Sequence, residues 1–230
     1  MLIIVRLYPK TDISKIWSYV EKELKEERSE KITPLYATQS EGMMNVGVIF
    51  EVKGSDDLAK FITEDIVKCD EVNHTKTISL MKPVFFPIPK KKPENIHRYV
   101  VRIYAHPKHY KKVYSHLIDH TYTSNLFPIY ISYSLGDEDI IMSLGADSED
   151  TVNNFVKKHI RQHDGVNQAS YYPVYKSKRF ASLETFIKEQ KEYLDRRAME
   201  KSKDDYDFSF DWVENFEEHA KLTGALPGDY

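Results

Sequence analysis

Histidine at helical spacing is the first chemistry this sequence offers. His109, His116 and His120 fall within about 40° of one another if the segment is helical at 100° per residue. His159 and His163 make a second i, i+4 pair. Imidazoles at that spacing can ligate zinc, nickel or copper, or a haem iron. The glutamate of a metalloprotease helix is missing, however, and two antiparallel helices would set the two pairs apart. The expectation is surface or interface histidines with no metal and no cofactor, His116 and His120 being the candidates if a metal binds. Cys69 is the single cysteine, so one chain can form neither an internal disulfide nor a thiolate zinc cluster. There is no Gly-rich phosphate loop, Gly-x-Ser-x-Gly elbow or paired-cysteine motif, and no catalytic residue is assigned. Among sixteen tyrosines, Tyr36, Tyr130 and Tyr133 would suit a small amphipathic ligand if they line a barrel interior.

The elements that position these residues are written twice. Pro34, Tyr36, Ser40, Gly42, Phe61, Asp70, Val72 and Asn73 recur 94 residues later as Pro128, Tyr130, Ser134, Gly136, Phe155, Asp164, Val166 and Asn167. A fixed offset over so long a stretch means two copies of one folding unit. Each copy opens with a strand, Val5-Arg6-Leu7-Tyr8 becoming Val101-Arg102-Ile103-Tyr104. A helix follows, with Ile13, Ile16, Trp17, Val20 and Leu24 on one face in the first copy and Tyr110, Val113, Tyr114 and Leu117 in the second. A hairpin turning at Gly42 or Gly136 leads into alternating strands, Val46, Val48, Phe50 and Val52 matching Ile140, Met142 and Leu144. The helical period returns at Leu58, Phe61, Ile62 and Ile66, and at Val152, Phe155, Val156 and Ile160, with Ser55 and Ser148 as expected caps. A last strand closes each copy near Thr75 to Met81 and Gln168 to Tyr175.

Each copy therefore runs βαββαβ, an α+β, ferredoxin-like order with both helices on one face of an antiparallel sheet. The uncovered sheet face of one repeat is the natural cover for the other, which predicts an internal α+β-barrel pseudo-dimer. The expected organisation is a first repeat over 1–86, a Pro/Lys linker over 87–97, a second repeat over 98–178 and an acidic tail over 179–230. Ser182 caps the first expected tail helix, with Leu183, Phe186, Ile187 and Leu194 on its stripe; Trp212, Val213, Phe216 and Ala220 mark the second. From Ser182 onward the tail carries 7 Lys/Arg against 13 Asp/Glu, which argues against a DNA-contacting role. The whole chain, at −3 and pI near 6.3, lacks the basic excess of a nucleic-acid binder. Arg6 interrupts the opening apolar run too early for a signal sequence or a membrane span, so the expectation is a cytoplasmic protein with no membrane contact.

The stretch from Ile131 to Tyr175 resembles the effector-binding domain of the Lrp/AsnC transcription regulators. Gly136 and Asp139 match that family's Gly-x-x-Asp turn before the third strand, and Gly165-Val166 matches the Gly-Val pair before the fourth. The first repeat keeps Gly42 but has Asn45 for the aspartate and Glu71-Val72 for Gly-Val. The resemblance implies a dimeric α+β barrel whose small effectors, often amino acids, bind near the Gly-x-x-Asp turns. Carried onto this chain it names Gly136 and Asp139 as ligand-binding residues, with Gly42 and Asn45 as a degraded counterpart; Tyr133 joins the expected site as one of the tyrosines read as barrel lining. The family's helix-turn-helix has no counterpart in this sequence. The expectation is a non-enzymatic protein for sensing a small-molecule effector or for assembly, acting on transcription through a DNA-binding protein partner and assembling as a homo-oligomer. The alternative is a metal- or haem-dependent enzyme of the same barrel superfamily.

Overall fold

The structure, a computed structural model, describes residues 1–26, 32–86, 89, 91 and 93–180. The first repeat comprises β1 (Leu2–Pro9), α1 (Ile13–Glu26), β2 (Ile32–Ser40), β3 (Val46–Val52), α2 (Ser55–Lys60) and β4 (Val72–Phe85). The second comprises β5 (His97–Ala105), α3 (Tyr110–Asp119), β6 (Leu126–Leu135), β7 (Ile140–Ala146), α4 (Glu149–Phe155) and β8 (Val166–Arg179). The expected tail helices, with their caps and stripes, lie outside the described residues.

All eight strands close into one antiparallel barrel in the order β1-β3-β2-β8-β5-β7-β6-β4. Closure removes the sheet edges that two separate four-stranded sheets would leave exposed. The seams between repeats are β2–β8 and β4–β6, and they are equivalent: Tyr36 pairs with Arg179 in one as Tyr130 pairs with Phe85 in the other. The 94-residue offset of the sequence is thus a pseudo-twofold relation in space.

Alternation puts two different cores on the two faces of each strand. Ile3, Val5 and Leu7 point outward under α1, packing with Ile16, Trp17, Val20, Leu24 and Phe50. Val101, Ile103 and Ala105 do the same under α3 and α4, against Val113, Leu117, Val152 and Phe155. Leu2, Ile4, Tyr36, Ile78, Leu80, Val100, Tyr130 and Ile141 point inward and fill the barrel. β1 is buried over six successive residues because one face meets helices and the other the barrel interior. Truncating a fully buried residue such as Ile78 or Ile103 to alanine is expected to cost about 2–5 kcal/mol.

Both second helices of the repeats widen. α2 continues through a π turn, Phe61–Asp65, and α4 through another, Val156–Ile160. Ser148 caps α4, its hydroxyl accepting from the Thr151 amide at 3.3 Å. Ser55 does not play that part: Gly54 occupies the cap position of α2 and makes no side-chain bond, so the serine one residue later already lies within the helix. The first repeat fastens α1 differently, Glu71 accepting from the Thr11 and Asp12 amides at 2.5 and 2.6 Å.

Candidate functional site

Arg6 on β1 and Arg102 on β5 occupy corresponding positions in the two repeats, and inward alternation aims both into the barrel. A cation there demands a partner, because an isolated charge in an apolar interior is costly. The turn between β6 and β7 supplies it. Arg6 Nη1 donates to Asp137 at 2.9 Å and Nη2 to Glu138 at 2.6 Å. Arg102 Nε donates to the other Glu138 oxygen at 3.0 Å, and its Nη2 donates to Asp137 and to the Tyr104 hydroxyl. Lys76 approaches Asp137 at 3.7 Å from the rim. Glu138 is fully buried, so two guanidiniums from two repeats close on one carboxylate. Burial alone would pull the Arg102 guanidinium down, but the adjacent Glu138 and Asp137 carboxylates outweigh it and hold it above its ordinary value.

Gly136 makes this turn possible. Its φ of +141 is open to glycine, and a Cβ there would lie 2.6 Å from the Thr77 carbonyl oxygen. The corresponding first-repeat turn, Gly42-Met43-Met44-Asn45, carries no acid. Met43 and Asn45 instead border a cavity of about 30 Å³ inside the barrel, walled by Arg6, Arg98, Thr38, Ser40, Tyr130 and Ile141 among others. That is space for one or two waters or a small polar head group. Arg98 donates to Ser143 Oγ at 2.9 Å and to the Tyr36 hydroxyl, and its guanidinium sits 4.4 Å from the centre of the Tyr36 ring. Arg98 keeps some exposure as a residue, while its guanidinium lies deep enough for burial to bring it down to about 10, partly opposed by Tyr130. Burial raises Tyr130 above the ordinary tyrosine range.

The residues named by the sequence divide between the two turns. Asp139 is already engaged: one oxygen accepts from the Ala105 amide at 2.8 Å and the other from the Tyr110 hydroxyl. Its amide donates to the Ile103 carbonyl at 3.0 Å, so Asp139 ties the β6–β7 turn to the end of β5 and the start of α3. Tyr133 faces outward and stacks on Tyr114 with ring centres 3.9 Å apart, whereas Tyr36 and Tyr130 face the interior. Strand parity accounts for the difference, since Tyr130 and Tyr133 are an odd number of residues apart. Asn45 is buried at the cavity. Sequence reasoning passed over Arg6, Arg98, Arg102 and Glu138, although an arginine between apolar strand neighbours in both repeats was a visible signal.

The histidines depart from expectation. His116 lies on α3 and His120 just past its end, while His159 lies in the π turn after α4 and His163 in the turn that follows. His116 lies against His163 with ring centres 4.5 Å apart, His120 against His159 at 4.7 Å, and His116 and His120 are 6.1 Å apart. The two i, i+4 pairs therefore form one cluster of four, with His109 outside it beside Asp164 at 3.6 Å.

No known protein family matches the chain, and no curated protein does. Several solved structures resemble it. An anthrone oxidase-like protein aligns at 10% identity over 79% of this chain and 94% of its own, with a TM-score of 0.49. A mutant chlorite dismutase from Candidatus Nitrospira defluvii in complex with cyanide aligns at 13% identity over 76% of this chain and 90% of its own, TM-score 0.45. A major regulator of staphylococcal pathogenesis aligns at 10% over 76% and 99%, TM-score 0.40.

Proposed function

We propose that this protein is a non-enzymatic small-molecule sensing or assembly module, related to Lrp/AsnC effector domains, whose ligand presents a carboxylate to the barrel interior beside Asn45. The observation that carries this reading is the inequality of the two turns. The second-repeat turn commits Asp137 and Glu138 to Arg6 and Arg102, and Asp139 to the Ala105 amide and the Tyr110 hydroxyl, so each of its carboxylates already has an intramolecular partner. The first-repeat turn borders a cavity walled by two arginines, three hydroxyl residues and an amide. Guanidinium groups recognise carboxylates through paired hydrogen bonds, and they do so more strongly away from water. The cavity admits a carboxylate head, and a larger body would rest against Met43. Any effect on transcription would pass through a DNA-binding partner, and a homo-oligomer would place several such barrels in one assembly.

A thermal-denaturation panel of amino acids and small carboxylates tests this reading. Stabilisation by at least one compound, abolished by Asn45→Leu and retained in Asp139→Asn after correction for its lower baseline, is the expected result. No stabilisation by any compound would overturn it. A second reading, a metal- or haem-dependent enzyme, draws on the histidine cluster; a haem absorbance band, or substrate turnover that depends on bound metal, would favour it, whereas bound metal alone would not.

A further inference from the structure

The four clustered histidines lie outside the barrel and play no part in the ligand reading. His116 Nε2 stands 3.1 Å from the His159 carbonyl oxygen, and His163 Nδ1 stands 2.7 Å from that of Asp164. A carbonyl only accepts, so these two nitrogens carry the protons, and in the neutral rings His116 Nδ1 and His163 Nε2 keep their lone pairs. A backbone carbonyl on one ring nitrogen is the arrangement that fixes the tautomer and orientation of a metal-ligating histidine.

The spacing agrees with that chemistry. Two imidazoles bound to one tetrahedral ion, each through a bond of about 2.0–2.1 Å, hold their ring centres about 5 Å apart. The separations here, 4.5, 4.7 and 6.1 Å, bracket that distance. Phe155 backs the cluster, its ring 5.2 Å from His120 and 5.6 Å from His159. Asp164, next to His163, is engaged by Lys112 at 3.3 Å and His109 at 3.6 Å. Among the described residues no three His, Cys, Asp or Glu side chains already surround a point that could hold an ion. Ring rotation must close the set, and His159 is exposed while the other three are half-buried.

We propose that the histidine cluster between the end of α3 and the turns that follow α4 binds one divalent transition-metal ion of the imidazole-preferring class, zinc, nickel(II) or copper(II), through His116 and His163, with His120 or His159 completing the set. The ion would pin the end of α3 to the turns that lead from α4 towards β8 in the second repeat. Carboxylate-preferring ions such as magnesium and calcium are not expected there.

The test uses the untagged full chain, freed of metal by a chelator and titrated calorimetrically with zinc chloride and nickel chloride at pH 7.5, with thermal denaturation in parallel. Saturation at one ion per chain and a rise in the melting temperature are expected. The double variant His116→Ala/His163→Ala should bind about tenfold more weakly or worse and lose the rise. If that variant is poorly folded by circular dichroism, His159→Gln/His163→Gln, which replaces the exposed His159 in place of the half-buried His116, must show the loss instead. Copper(II) bound to the wild type should give the electron paramagnetic resonance signature of imidazole nitrogens. No saturable binding up to millimolar free metal, unchanged binding in a folded double variant, or a copper spectrum without nitrogen coupling would each overturn the proposal.

Discussion

Arg6 and Glu138 lie 132 residues apart in sequence and meet at 2.6 Å inside the barrel, with the carboxylate completely buried. Because Glu138 also accepts from Arg102 at 3.0 Å, this one side chain joins the first strands of both repeats. Glu138→Gln leaves two guanidiniums with a neutral partner and is expected to destabilise the fold by about 3–5 kcal/mol. Asp137→Asn should cost less, since that carboxylate is 18% exposed. Urea denaturation of the two variants beside the wild type checks both the size and the order.

The bond between Tyr110 and Asp139 sets a pH dependence at the alkaline end. The hydrogen bond to Asp139, with burial and the carboxylate's charge adding to it, pushes the Tyr110 hydroxyl up to about 12 from its ordinary 10.0. A tyrosine raised in the folded state contributes stability that is fully present below pH 10 and is lost as pH rises towards 12. Spectrophotometric titration should show one fewer late-titrating tyrosine in Asp139→Asn than in the wild type, and that variant should lose less stability between pH 10 and 12. A titration unchanged by the substitution would contradict the role given to Asp139.

The two turn glycines differ in what they tolerate. At Gly136 a methyl group would meet the Thr77 carbonyl at 2.6 Å in a backbone conformation that only glycine adopts readily, so Gly136→Ala should cost about 2 kcal/mol or more. At Gly42 the φ is +72 and the nearest atom, on the Tyr172 ring, is 3.6 Å away, so Gly42→Ala should cost only about 1 kcal/mol. Melting temperatures of the two variants test the order.

The fold was legible because its signals are local and repeated. The 94-residue offset predicted two equivalent units, whereas residues 2–5 are apolar throughout, so the division of β1 between the outer core (Ile3, Val5, Leu7) and the inner one (Leu2, Ile4) is visible only in the folded barrel. The polar centre was less legible. Nothing in the sequence order of Arg6, Arg102 and Glu138 says that they converge, since their meeting depends on barrel closure and on Glu138 turning inward at a hairpin end. Tyr133 was placed inside because its distance from Tyr130 was not weighed against strand parity. The histidine pairs were separated by an argument about antiparallel helices, whereas His159 and His163 lie in the turns after α4 and meet the end of α3, joining His116 to His163 and His120 to His159.

The central claim is that the Asn45 end of the barrel receives a carboxylate. Isothermal calorimetry of the most stabilising compound from the thermal panel, against wild type and Asn45→Leu, tests it most directly. The account predicts saturable binding of one ligand per chain that weakens about tenfold or more in Asn45→Leu, in line with the loss of a hydrogen bond to a charged group. Binding of equal strength in the two proteins, or none in the wild type, would contradict it.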